Sequence, residues 1–180
     1  MNLKENERGF TLIELLVTIT VILALSAMGL YIYYGVIGKS YVGGITDNVG
    51  QLENVVQIYA QSNGGSFTGI SAAAMQADGD LPPNWSVSGA SAVPPNSGIV
   101  SGYYITQGAD GMTGDSFDIG FTGSQITNNE VRSVCIAFEN KIIEFGFNGQ
   151  AYPVSTGGTN CAAIPVNNGY ITQPFYLGFE

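Results

Sequence analysis

One carboxylate, Glu14, stands alone in an apolar run. Residues 10–38 read FTLIELLVTITVILALSAMGLYIYYGVIG, and Glu14 is their only charge. A carboxylate in hydrocarbon costs about 2.5–3.5 kcal/mol, so a residue like this is rarely there by neglect. The other groups with chemistry to offer are few. Cys135 and Cys161 both lie in the distal half. Asp110, Asp115 and Asp118 cluster in QGADGMTGDSFDIG. Calcium wants about six to eight oxygens and their spacing is not that of an EF-hand loop. Asp-Gly turns explain the same residues more simply, so no metal site is expected. The chain has no histidine, which removes the commonest general base and the commonest metal ligand. Without it no Ser/His/Asp or Cys/His set can form, and no carboxylates are paired. The expectation is a non-enzyme with no cofactor.

Stepping outward from Glu14, 180 residues suffice for one domain with a real core and not comfortably for two. Net charge is −9 with only five Lys or Arg, so no basic patch exists to neutralise phosphates and no nucleic-acid site is expected. Residues 15–38 carry no charge at all. A bilayer needs about 20 such residues, and as a helix this stretch would span about 36 Å. Three readings compete for it. A secretory signal peptide has a basic head and a core of about 7–15 apolar residues. Ala24-Leu25-Ser26 could pass for its cleavage site, but the run continues well beyond, and Glu5 and Glu7 cancel Lys4 and Arg8. A plain membrane anchor explains the length but not Glu14.

The third reading explains both. Gly9-Phe10-Thr11-Leu12-Ile13-Glu14-Leu15 closely resembles the processing motif of type IV prepilins and of the related type II secretion pseudopilins. The resemblance implies removal of a leader, residues 1–9, by a membrane-embedded prepilin peptidase that cuts between Gly9 and Phe10. It implies N-methylation of the new terminus at Phe10, and it matches Glu14 to the family's acidic residue at the fifth mature position. The spacing has physical sense. Glu14 lies four residues past the Phe10 amine, one helical turn away on the same face. Amine and carboxylate could pair within one chain or between neighbours, and either pairing offsets the burial of both charges. The resemblance implies the inter-subunit pair. With export accepted, two cysteines read as one Cys135–Cys161 disulfide; two buried free thiols are the alternative.

Downstream, Val49, Leu52, Val55, Val56 and Tyr59 recur at three- and four-residue spacing. This extends the helix to residues 11–61, apolar all round in its first half and amphipathic in its second. Gly35, Gly38, Gly43, Gly44 and Gly50 weaken its middle, where a bend or a melted turn is expected. Tyr31, Tyr33, Tyr34 and Tyr41 read as an aromatic belt and filament packing surface. Asn63-Gly64-Gly65 ends the helix. A second short helix is expected at 71–77, a loop at 84–98, and strands at 99–106 and 116–121. Thr127-Asn128-Asn129-Glu130 fits a capping box opening a helix at 128–141, with a strand as the alternative. Residues 143–147 and 170–179 read as strands, Pro174 confining the last to an edge or breaking it.

The segment QSNGGSFTGISAAAMQADGDLPP, with a cysteine inside a short helix before a strand ending Phe147-Asn148-Gly149, loosely resembles the type IVb pilins. The short leader and the Phe10 terminus are those of type IVa pilins, and the subclass stays open. The expected fold is α+β: a long N-terminal helix whose C-terminal half lies on an antiparallel sheet with short accessory helices. The expected organisation is leader 1–9, apolar membrane and filament-core helix 10–38, and exported domain 39–180. The expected function is the major pilin of a type IV pilus, held in the inner membrane before assembly and in an extracellular homo-oligomeric filament after it. Its partners are then the prepilin peptidase and the inner-membrane assembly machinery. The alternatives are a pseudopilin of a secretion or competence system, or a minor pilin acting as a tip adhesin.

Overall fold

A computed structural model of the chain describes residues 11–95, 98–108, 115–123, 125–154, 160–167 and 169–180. The chain divides into two compact units, Met1–Gly38 and Lys39–Glu180. Helix α1 (Leu12–Ser62) contributes to both. Of the bend or melted turn expected from its glycines, no melted turn occurs. A glycine costs a helix about 1 kcal/mol relative to alanine, less than the burial that holds the second half in place.

That burial is in the second unit. Ile45, Val49, Leu52, Val56 and Tyr59 are buried and belong to one hydrophobic core with the inner face of the sheet. Their three- and four-residue spacing is one face of a helix. The helix stops where glycine can take a left-handed turn: Gly64 has φ 71° and Gly65 φ 85°, and the Gly65 N–H donates to the Ala60 carbonyl at 2.7 Å. Helix α2 (Ala72–Asp78) is capped by the Ser71 hydroxyl and closed by Gly79 at φ 80°.

The sheet has seven strands. These are β1 (Ser86–Ser88), β2 (Ser91–Val93), β3 (Gly102–Gln107), β4 (Phe117–Thr122), β5 (Ile142–Phe147), β6 (Gln150–Pro153) and β7 (Phe175–Phe179). Their order is β1-β2-β3-β4-β7-β5-β6 and every pairing is antiparallel. Inward-facing residues line up across strands: Ala92, Tyr103, Phe121 and Phe175 form one row, and Ile105, Ile119, Leu177 and Phe145 the next. The arrangement is α+β, consistent with the pilin fold.

Three strand expectations are corrected. The expected loop at 84–98 contains the β1–β2 hairpin. Gly89, at φ 62°, stands first in its two-residue turn, as a tight hairpin requires, while the small polar residues around it gave no strand pattern. Asn148 and Gly149, both at positive φ, likewise turn β5 into the unexpected strand β6. The last strand is not at an edge, and of the expected 170–179 only 175–179 forms it. It begins at Phe175, one residue after Pro174, so the proline stays outside the ladder and β7 sits between β4 and β5. The expected helix at 128–141 is shorter, α3 (Asn128–Phe138).

The outer face carries a second pattern. Tyr104, Gly120, Tyr176 and Gly146 are consecutive neighbours across four strands. A Cβ on Gly120 would lie 1.8 Å from the Tyr104 ring, and one on Gly146 would lie 1.8 Å from the Tyr176 ring. Each tyrosine therefore lies across a glycine and covers backbone that would otherwise meet water. Burial pushes the Tyr104 hydroxyl up to about 12, and the nearby Asp118 carboxylate adds to the shift. Gly120→Val should destabilise the domain by about 1–3 kcal/mol, the usual cost of overpacking. In a Tyr104→Ala background the same change should cost less. Urea unfolding of the four proteins measures both, and an equal cost in both backgrounds would rule out the steric account.

Candidate functional site

Past Thr11, the described residues of the first unit lie in helix α1. From Leu12 to Tyr33 it is long and apolar enough to cross a membrane, and none of it is buried. Large apolar side chains along it stay between 48% (Ile19) and 83% (Tyr31) exposed. A patch of this size on a lone chain marks a surface meant for lipid or for other helices. Two of its hydroxyls are satisfied by the helix itself. The Thr18 hydroxyl donates to the Leu15 carbonyl and the Thr20 hydroxyl to the Val17 carbonyl, each at 2.8 Å, so neither needs water at membrane depth.

Glu14 is held in the same economical way. The Thr11 N–H donates to Glu14 Oε2 at 3.0 Å and the Thr11 hydroxyl to the same oxygen at 2.9 Å. The Glu14 N–H donates back to Thr11 Oγ1 at 3.3 Å. This is a reciprocal capping box: it occupies backbone donors left over at a helix start and places negative charge at the positive end of the helix dipole. The sequence reading missed Thr11 as Glu14's partner. The signal was present, because Thr11 to Glu14 has the spacing of Thr127 to Glu130, where the same three bonds form at 2.7, 2.9 and 3.4 Å. Gly9 and Phe10, the expected scissile pair, and with them the Phe10 amine, lie outside the described residues.

Cys135, on the buried face of α3, and Cys161, opening a short 3₁₀ turn (Cys161–Ala163), are joined by a disulfide with a Cα–Cα distance of 5.6 Å. The Cys161 N–H also donates to Glu139 Oε1 at 3.1 Å. The three aspartates considered for calcium are not brought together as a described site. Asp110 lies outside the described residues, Asp115 is exposed, and Asp118 is buried on the outer face of β4. Among the described residues no group of three or more His, Cys, Asp or Glu could hold a metal ion.

Residues 4–30 match the family profile described as the prokaryotic N-terminal methylation motif. The chain carries the type IV prepilin signature. The match is confined to the N-terminal segment and supports a type IV pilin-like or pseudopilin reading of the chain. The matched region includes Gly9, Phe10, Thr11 and Glu14 together with most of the exposed apolar helix. No curated protein and no solved structure matches the chain.

Proposed function

We propose that this chain is the structural subunit, the major pilin, of a type IV pilus. The observation that carries the reading is an uncovered apolar helix with a single carboxylate near its start, headed by a methylation motif and followed by a folded, disulfide-closed domain. In this reading residues 1–9 are the leader, 10–38 the membrane and filament-core segment, and 39–180 the exported domain. Prepilin peptidase cuts after Gly9 and Phe10 is N-methylated. The subunit waits in the inner membrane until the assembly machinery draws it into a filament of identical copies outside the cell.

The Thr11 bonds suggest how Glu14 serves both stages. In the membrane, Thr11 donates to Oε2 and lowers the cost of carrying a carboxylate there. On docking, the Phe10 amine of an incoming subunit approaches, and we assign it to Oε1. The carboxylate then joins two subunits without first giving up its own helix cap.

Processing gives the direct test. Subunits sheared from the cell surface should have the intact mass of a chain that begins at a methylated Phe10. Replacing Gly9 with a bulky or charged residue should leave full-length precursor in the membrane and no filament. A mature terminus near Ala27 would mean that ordinary signal peptidase acts here, and the pilin reading would fail. Dominance of this chain in the sheared filaments separates a major pilin from a pseudopilin or a tip subunit.

A further inference from the structure

We propose that Asn84 is a carbohydrate-attachment site, accepting a saccharide on its side-chain amide from a diphosphate-activated donor. Asn84-Trp85-Ser86 is the only Asn-x-Ser/Thr triplet among the 180 residues, and its middle residue is not proline. Such a triplet means little where it is buried or paired inside a sheet. Here the fold presents it. The Trp85 N–H donates to the Pro82 carbonyl at 3.1 Å, closing a four-residue turn. Pro83 takes the first corner and Asn84, at φ 70°, the second, the placement of a type II turn. Asn84 is exposed. Ser86, whose hydroxyl a transferase reads, is exposed as well and is the first residue of β1. Among the described residues β1 pairs only with β2, and it ends the sheet. The acceptor Asn84 and the Ser86 hydroxyl can therefore both be reached on the folded chain, while Trp85 packs against the core.

The surroundings give such a group something to do. Residues 81–109 contain no Asp, Glu, Lys or Arg. Open sheet edges are normally blunted by charge, by proline or by a cover, because an unprotected edge recruits other strands. At the opposite edge, β6 carries Pro153. β1 reads Ser-Val-Ser and carries neither charge nor proline, relying on its shortness and on helix α2, which packs against β1 and β2. A hydrated saccharide on Asn84, two residues ahead of Ser86, supplies bulk and solvation at that edge.

In the transfer, Asn84 Nδ2 bonds to C1 of the donor sugar and the C1–O bond to the diphosphate breaks. The amide proton passes to a base of the transferase, and the diphosphate leaves with the electron pair. The inference goes beyond the filament reading and does not require it.

The test is intact-mass and peptide-mass measurement on the full chain recovered from its own host. The expected result is an increment of whole hexose or N-acetylhexosamine units, carried by the peptide that contains Asn84. Asn84→Gly suits the positive φ and leaves the turn unstrained; it should remove the increment. Ser86→Ala should remove it too, and Ser86→Thr should keep it. An Asn84 peptide at its unmodified mass overturns the proposal. So does an increment that survives Asn84→Gly but is lost with Ser86→Ala, since the sugar would then sit on the serine oxygen.

Discussion

Glu14→Val should give a subunit that is processed, disulfide-bonded and resident in the membrane, yet absent from sheared surface filaments. The domain should fold normally, because its buried core, among the described residues, begins at Ile45, far from Glu14 in sequence. In the membrane the variant is no worse off, since an apolar side chain replaces a carboxylate that was costly there. In the proposed filament the loss falls on docking. An incoming Phe10 amine would be buried without its partner, and an uncompensated buried charge costs about 3–5 kcal/mol. At about 1.4 kcal/mol per tenfold, that weakens each docking step by more than a hundredfold. Glu14→Asp keeps the charge but shortens the reach, so its filament yield should fall between. Thr11→Val separates the two roles of the carboxylate. It keeps Glu14 and removes the hydroxyl that bonds Oε2, so it should lower the yield by less than Glu14→Val. The readout is the ratio of subunit in sheared fractions to subunit in the inner membrane. Wild-type yield from Glu14→Val would show that this charge does not drive assembly.

What the sequence made legible follows from where its patterns are strong. The amphipathic half of α1 announced itself because Val49, Leu52, Val56 and Tyr59 repeat with helical period over several turns. The α3 capping box was readable because Thr127 and Glu130 stand in polar surroundings just ahead of Val131 and Val134. The same box at Thr11 and Glu14 went unread because the helix it opens is apolar on every side, and the carboxylate was weighed as a membrane charge and as the partner of the Phe10 amine. The β1–β2 hairpin was lost for the opposite reason. Ser86 to Val93 is built of small residues, and its strands are set by neighbours: Ala92 pairs with Tyr103, whose buried ring anchors the row. The central place of β7 depends on partners in β4 and β5 that lie far off in sequence, so no local pattern near Pro174 could assign it. The tyrosine-over-glycine face is likewise cross-strand, so no single strand's pattern carries it.

Removing the disulfide, by reductant or by Cys135→Ala with Cys161→Ala, should lower the domain's melting temperature by roughly 10–15 °C. The bond closes a sequence separation of 26 residues, and the chain-entropy model gives roughly 3.5 kcal/mol for such a loop. A domain's whole stability is typically about 5–15 kcal/mol, so this is a large share of it. The bond's position in the fold says where the damage should appear. β6 ends at Pro153 and β7 begins at Phe175, and Cys161 lies on the connection between them. β7 must come back along that connection and insert between β4 and β5, rather than add to an edge. Tying Cys161 to α3 shortens the span over which β7 searches for its slot. Without the tie, β7 should be the element that detaches first, exposing Phe175, Leu177 and Phe179, all buried in the folded domain. Hydrogen exchange on the double alanine variant should show β7 amides losing protection ahead of those in β3, which keeps its partners β2 and β4. Calorimetry of the full chain in detergent, with and without reductant, gives the overall loss. A melting temperature that moves by less than about 3 °C, little more than the shift from 1 kcal/mol in a domain of this size, would mean that packing around α3 holds β7 in place without the bond. Uniform loss of protection across the sheet would mean that the bond stabilises the domain as a whole rather than the insertion of its last strand.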